Sequence, residues 1–337
     1  MIDLLVVGGG PAGLATAIHA ALAGLEVVVA EPRPTPIDKA CGEGLMPGAV
    51  QALAALGVSV EGHPLRGIRY LDDRHHAQAL FTPDPGRGVR RTELQAALAR
   101  RAEELGVPVL PVRAGAVQQD GGSVRAAGVT ARYLAAADGL HSPIRRQLAL
   151  EQADARAPRY GLRRHFAVLP WTDCVEVHWS PRAEAYVTPL GPSLVGVAVL
   201  TAERGPFDTH LARFPALARR LPPAAATAVR GAGPLRQRVR ARVAGRVLLV
   251  GDAAGYIDAL TGEGISLALA TAEQLVRCVR ADRPQAYERA WCKASRHHRV
   301  LTEALLWTRG HPRLARRIVP TAARLPAAFT TLVNQLA

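Results

Sequence analysis

VVGGGPAGLATA, residues 6–17, is the stretch whose reading decides the fold. Gly8, Gly10 and Gly13 stand in G-x-G-x-x-G spacing and follow IDLLVV, residues 2–7. That apolar run suits a buried parallel strand. The first glycine permits a tight turn, the second lets the backbone approach a pyrophosphate, and the third lets a helix pack closely on the strand. Pro11 and Ala12 complete the loop, and residues 14–23 read as a small-residue helix whose N-terminus faces the phosphates. Gly24 ends that helix, and LEVVVAE, residues 25–31, supplies a second strand. Glu31 stands where a strand-end carboxylate accepts hydrogen bonds from a ribose, with Arg33 close behind it. Strand, glycine loop, helix, second strand and terminal acid together predict a dinucleotide-binding unit. They leave NAD and FAD undecided, because both present the same adenosine end.

Two later segments break that tie. YLAAADGLHSPIR, residues 133–145, runs from an apolar strand into Asp138-Gly139, a turn pair, with Ser142 placed to cap a helix. RVLLVGDAAGYIDALTGEGIS, residues 246–266, is again an apolar strand, ending in Gly251-Asp252. Two acid-bearing strand ends returning to one dinucleotide fold imply a ligand longer than the adenosine end alone.

Composition narrows the function classes. The chain has 337 residues and a net charge of +14, and only Lys39 and Lys293 among its basic residues are not arginine. Nucleic-acid binding wants basic clusters interleaved with exposed aromatics, and aromatics are only 4% here, so no nucleic-acid partner is expected. Cys41, Cys174, Cys278 and Cys292 are scattered without CxxC or disulfide spacing, and no metal is expected. No basic leader or membrane-length apolar run stands out, which reads as a cytoplasmic enzyme.

The three motifs, GGGPAG at 8–13, DGLHSPIR at 138–145 and GDAAG at 251–255, resemble the FAD-dependent superfamily of aromatic-ring hydroxylases (single-component flavoprotein monooxygenases) and geranylgeranyl reductases. The resemblance spans nearly the whole chain and implies FAD. It also implies an α/β fold, α+β overall: a Rossmann-like FAD-binding domain, an inserted antiparallel β-sheet substrate domain and C-terminal helices. The expected division is 1–60, 85–150 and 246–285 for FAD, 61–84 and 151–245 for substrate, and 286–337 for the helical tail. By the same resemblance Gly251 and Asp252 hold the middle of the cofactor, and Arg91 (or its neighbour Arg90) lies near the pyrophosphate. Asp138 supports them. Gly262, Glu263, Gly264 and Ile265 open a helix whose N-terminal amides face the isoalloxazine, where they favour negative charge on the reduced ring. Cys41 and Gly42, in KACGEG, form a loop beside the flavin. No second Rossmann glycine motif exists for a nicotinamide, so NAD(P)H is expected only as a transient reductant.

Between the motifs, VEVHWS, EAYVTPLG and SLVGVAVLT read as short strands of a sheet walling the flavin. His165, in the segment that leads into these strands, and His178 and Tyr186, which lie on them, are candidate catalytic residues, although alternation lets only half of such side chains point inward. The tail, helical to about Trp307, carries apolar and arginine residues at helical spacing, broken by Pro312, Pro320 and Pro326. Its pattern fits closing helices packed on the protein; it also fits a weak peripheral contact with an anionic membrane.

Three chemistries follow from the resemblance, each on a hydrophobic small molecule. Monooxygenation through a flavin hydroperoxide ranks first, on an aromatic or polyketide-like substrate. Alkene reduction of the geranylgeranyl reductase type comes second, with Cys41 or Tyr186 as proton donor. A non-redox cyclase or isomerase is third. Motif details lean towards the reductases: the hydroxylases' histidine after GDAA is Gly255 here, and Ser266 replaces their asparagine. The Trp-x-Trp-x-Ile-Pro signature of halogenases is absent.

Overall fold

A computed structural model describes residues 1–336. The opening apolar run is β1 (Ile2–Val7), and α1 (Pro11–Leu22) follows it with proline in its first turn, where no amide bond is lost. Next come β2 (Val27–Ala30), α2 (Pro47–Ala55), β3 (Gly67–Leu71) and β4 (His76–Leu80). They lead to α3 (Arg91–Glu104), β5 (Val109–Leu110), β6 (Val129–Ala136) and α4 (Pro143–Gln147). The middle of the chain forms β7 (Tyr160–Phe166), β8 (Cys174–Trp179), β9 (Ala183–Gly191), β10 (Leu194–Thr201) and β11 (Arg230–Ala232). Last are β12 (Val247–Leu249), α5 (Gly264–Arg280), α6 (Ala286–Arg309), α7 (Ile318–Arg324) and α8 (Pro326–Leu336).

The first sheet has parallel strands in the order β12-β6-β1-β2-β5. Its strands are apolar on both faces, as sandwiching between helices requires; Leu4, Leu5, Val29, Leu134 and Leu248 are fully buried. The close packing rests on two glycines. A Cβ at Gly13 would meet the Gly8 carbonyl oxygen at 1.8 Å, and one at Gly8, with φ +113°, the Ala137 carbonyl oxygen at 2.4 Å. Three strand ends, carrying the three motifs, therefore converge at one edge of this sheet.

The second sheet has seven strands in the order β11-β7-β10-β9-β8-β3-β4. It is antiparallel except where β3 runs parallel to β8. The polar-rich segment YGLRRHF, read only as leading into the sheet, is itself strand β7. Its alternation is hidden because one face carries the buried polar residues Arg163 and His165, while Leu162 and Phe166 take the apolar face. Both faces of the sheet are covered. Val187, Val197 and Val199 pack with Phe166, Phe207 and Phe214 on one side, whereas Val175, Val177 and Trp179 belong to a cluster with Phe329 and Val333 of α8 on the other. The tail prolines start helices rather than only ending them: Pro312 and Pro326 occupy first helical turns, and Pro320 falls within the first turn of α7.

Candidate functional site

One cavity of about 470 Å³ runs from the first glycine loop, past the GDAAG segment, to the wall made by the second sheet and α8. At its first end lie Gly10, Pro11 and Ala12. The N-terminus of α1 has no side-chain cap, so its first amides face that end. Buried Arg91 is aimed at the same place: its Nη2 lies 3.8 Å from where a Gly10 Cβ would stand, and its Nη1 has no protein partner. Burial pushes the Arg91 guanidinium below its usual pKa. Two clusters of donors without acceptors suit a pyrophosphate. Glu31 reaches back to accept from the Gly9 amide at 2.8 Å and from Arg33 Nε at 2.7 Å. Burial alone would raise its pKa, but these hydrogen bonds outweigh that and hold it down. Its carboxylate is thus ionised and paired with Arg33, which is half-exposed.

The middle of the cavity is set by Asp252. A Cβ at Gly251 would stand 2.6 Å from Ala12 Cβ, so the GDAAG turn is pressed directly against the first glycine loop. Burial raises the Asp252 carboxyl, opposed by the charges of Lys39, Arg91 and Arg145. Arg145, only 1% exposed, ties two motifs together. Its Nη1 donates to Ala253 O at 3.2 Å, and its Nη2 donates to Leu140 O at 2.9 Å and to Gln237 Oε1 at 2.6 Å. Asp138 accepts from the Ile144 amide at 3.0 Å, and Ser142 caps α4 by accepting from the Arg145 amide at 2.9 Å. Asp138 Oδ1 has no protein partner, and burial raises its pKa.

The far end holds the candidate chemistry. The loop 41–43 is clamped from several sides, with Glu43 at φ +60°, a rare conformation for a residue with a side chain. Glu43 Oε1 accepts from the Arg91 amide at 2.8 Å, and its Oε2 lies 2.7 Å from His165 Nε2. His165 Nδ1 lies 3.3 Å from Arg163 Nη1; Arg163 in turn donates to Asp38 and to Lys39 O. This buried relay fixes Cys41 and Gly42 on the cavity wall. Burial pushes the Cys41 thiol up, against the pull of Arg91, so it carries its proton.

Gly262, Gly264 and Ile265 line the cavity at the start of α5, and Tyr256 lies across them, its hydroxyl 3.6 Å from where a Gly264 Cβ would stand. Burial raises the Tyr256 phenol well above its ordinary value. Tyr186 also lines the cavity but donates to Leu260 O at 2.7 Å, bracing the turn before α5.

Three expected residues sit otherwise. His178 is on the opposite face of β8, 3.2 Å from Glu176 Oε2, because Val175 and Val177 take the inward positions. His165 acts on Glu43 and not on the cavity itself. Glu263 turns back to His298 of α6 at 2.8 Å and anchors the turn, so it stands off the cavity that its neighbours Gly262 and Gly264 line. Sequence reading gave no role to Arg145, Arg163 or Tyr256. A buried arginine bonded across nearly 110 residues leaves no local pattern, whereas Tyr256 stood inside a motif whose flanks alone were weighed.

The residues fit an extended dinucleotide. Arg91 offers an unpartnered donor, α1 an uncapped end, and Gly42 has nothing within 4 Å of the space a Cβ would take. A family model described as FAD binding domain matches residues 1–193. The menaquinone reductase of Mycobacterium tuberculosis is 32% identical over 307 residues, 80% of this chain and 74% of that protein. Digeranylgeranylglycerophospholipid reductase 1 of Methanothermobacter thermautotrophicus is 27% identical, covering 78% of this chain and 73% of that one. Among solved structures, the flavin-dependent brominase Bmp2 has a TM-score of 0.82 at 17% identity, covering 99% of this chain and 93% of the other. At that identity the likeness speaks for the fold alone.

Proposed function

The chain belongs to the FAD binding domain family and is an FAD-dependent oxidoreductase; from that premise we propose that it reduces a carbon–carbon double bond in the isoprenoid chain of a lipid-like substrate. The observation that carries this reading is the cavity. It joins the cofactor groove to a wall of Ile68, Tyr70, Val177, Leu200, Leu305 and Phe329, with side chains that hold their protons, Cys41 and Tyr256, where the two parts meet. Saturating an alkene takes a hydride on one carbon and a proton on the other. Reduced FAD supplies the hydride when bound. The protein must then exclude water, hold the chain extended and give up the proton.

Tyr186 is poorly placed for that last task, since its hydroxyl already donates to Leu260 O. The Cys41 thiol and the Tyr256 hydroxyl remain. The apolar wall suits an extended isoprenoid chain, which favours alkene reduction over the oxygen transfer to an aromatic or polyketide-like substrate ranked first on sequence. The reductases among the relatives weigh the same way. NAD(P)H is the proposed reductant, taken up transiently.

The test uses FAD-loaded protein with a reductant and, separately, a menaquinone and a geranylgeranyl glycerolipid, with and without oxygen. A gain of two hydrogens in the isoprenoid chain, retained after any quinol is reoxidised, is expected in both atmospheres, with at least one carbon-bound deuterium incorporated from heavy water. A gain of one oxygen that disappears anaerobically would refute the reading.

A further inference from the structure

The end of α6 and the tail after it combine positive charge with exposed apolar side chains. Residues 304–337 include five arginines and neither aspartate nor glutamate. Arg309 is tied to Glu184 and to Pro181 O. Arg313, Arg316, Arg317 and Arg324 are exposed, with no acidic partner among the described residues. The same stretch exposes large apolar side chains: Trp307 is 61% exposed, Leu325 56% and Leu314 36%. Its inner side is different. Phe329 and Val333 of α8 are buried against Tyr70 and Trp179, and with Leu305 and Leu332 they close the apolar end of the cavity. Basic and apolar side chains thus stand exposed together on the segment that bounds the substrate chamber.

We propose that residues 307–325 dock the protein on the surface of an anionic lipid bilayer. The charge selects the partner, since unpaired arginines are drawn to acidic headgroups. Trp307 is a residue type that settles at the headgroup level, and Leu314 and Leu325 add apolar area that enters just beneath it. A nucleic acid would satisfy the arginines but offer nothing to the two leucines. A second copy related by a two-fold axis would set arginine against arginine. No helix of the described residues is long and apolar enough to cross a membrane, so the contact is peripheral. The inference deepens the proposed function, resting on the reading of the cavity as a site for an isoprenoid chain: docking turns its apolar end towards the lipid.

The experiment is co-sedimentation of full-length, FAD-loaded protein with vesicles of phosphatidylcholine alone and of phosphatidylcholine mixed with phosphatidylglycerol. Binding is expected only to the mixed vesicles, falling with salt and accompanied by a blue shift of tryptophan emission that Trp307→Ala abolishes. Each arginine removed should weaken partitioning about fivefold, so the double variant Arg316→Ala, Arg317→Ala should lose about 25-fold. Leu314→Gln with Leu325→Gln should weaken it at unchanged charge. An unchanged flavin spectrum and melting temperature show that the variants are folded. Equal binding to neutral vesicles, no binding to either, or binding indifferent to these substitutions would overturn the proposal. So would an arginine variant that changes only the sedimentation coefficient of the free protein, which would assign the patch to a second copy. Vesicle binding is read without substrate, so its loss is distinguishable from failure of the alkene-reductase reading, which appears as absent turnover by vesicle-bound protein.

Discussion

Replacing Arg145 by alanine tests whether the second and third motifs are held as one site. Its guanidinium makes three hydrogen bonds of 2.6–3.2 Å, to Gln237 Oε1, Leu140 O and Ala253 O, at a position 1% exposed. Hydrogen bonds from a charged donor contribute about 1.5–3 kcal/mol each, less than additively in a shared site. Removing the donor also leaves buried carbonyls unpaired and a void beside them. Glu151, at 3.4 Å and about half-exposed, can turn to water and adds little. The expected loss is about 3–5 kcal/mol, the range for breaking a buried charged network by deleting one member. In a chain of this size that lowers the melting temperature by about 4–7 °C. Because Ala253 follows Asp252 directly, the turn that presents Asp252 should loosen too, weakening FAD binding by at least about tenfold, or about 1.4 kcal/mol. The assays are urea denaturation with and without FAD, and titration of apoprotein with FAD followed by flavin fluorescence. Melting within about 2 °C of the parent, with unchanged FAD affinity, would refute the assignment of Arg145 as the tie.

Gly13→Ala should abolish FAD binding and much of the folded yield, because its Cβ would overlap the Gly8 carbonyl; Gly24→Ala, with φ +75° and nothing within 4 Å, should cost only about 1 kcal/mol and keep the flavin spectrum. Asp252→Asn should stabilise the FAD-free protein at neutral pH while weakening FAD binding. The native carboxyl titrates above its ordinary 3.8, so the stability linked to its protonation is present below that value and lost as pH rises through the native pKa; the difference between variant and parent in denaturation should shrink towards pH 4. For Cys41 the shift is also upward, from an ordinary value near 9.0, so stability linked to the protonated thiol is full below pH 9 and falls above it; Cys41→Ser should flatten the alkaline limb of the melting-temperature profile. Tyr256→Phe should slow turnover and leave FAD affinity within about twofold, whereas His178→Ala should change neither.

Some of the site was legible because its signals are local. The glycine spacing, the strand before it, Glu31 after the second strand, and the Asp-Gly turns each rest on backbone conformations that few residues allow, so residue type reports geometry directly. Strands β8, β9 and β10 were readable for the same reason, as alternation of apolar residues marks a buried face. Strand β7 was not, since Arg163 and His165 are buried polar residues whose partners, Asp38 and Glu43, lie over 120 positions away.

The sequence by itself therefore determined that a dinucleotide fold carries three motifs suited to FAD, because short-range steric rules write those motifs. Only the tertiary structure decided what each acid, histidine and arginine does. It turned Glu263 to His298, took His178 to the far face, bound Tyr186 to Leu260, and brought Cys41 and Tyr256 to one cavity. The physical reason is that burial and pairing, which set protonation and availability, depend on neighbours distant in the chain. Residue identity alone carries no record of those neighbours.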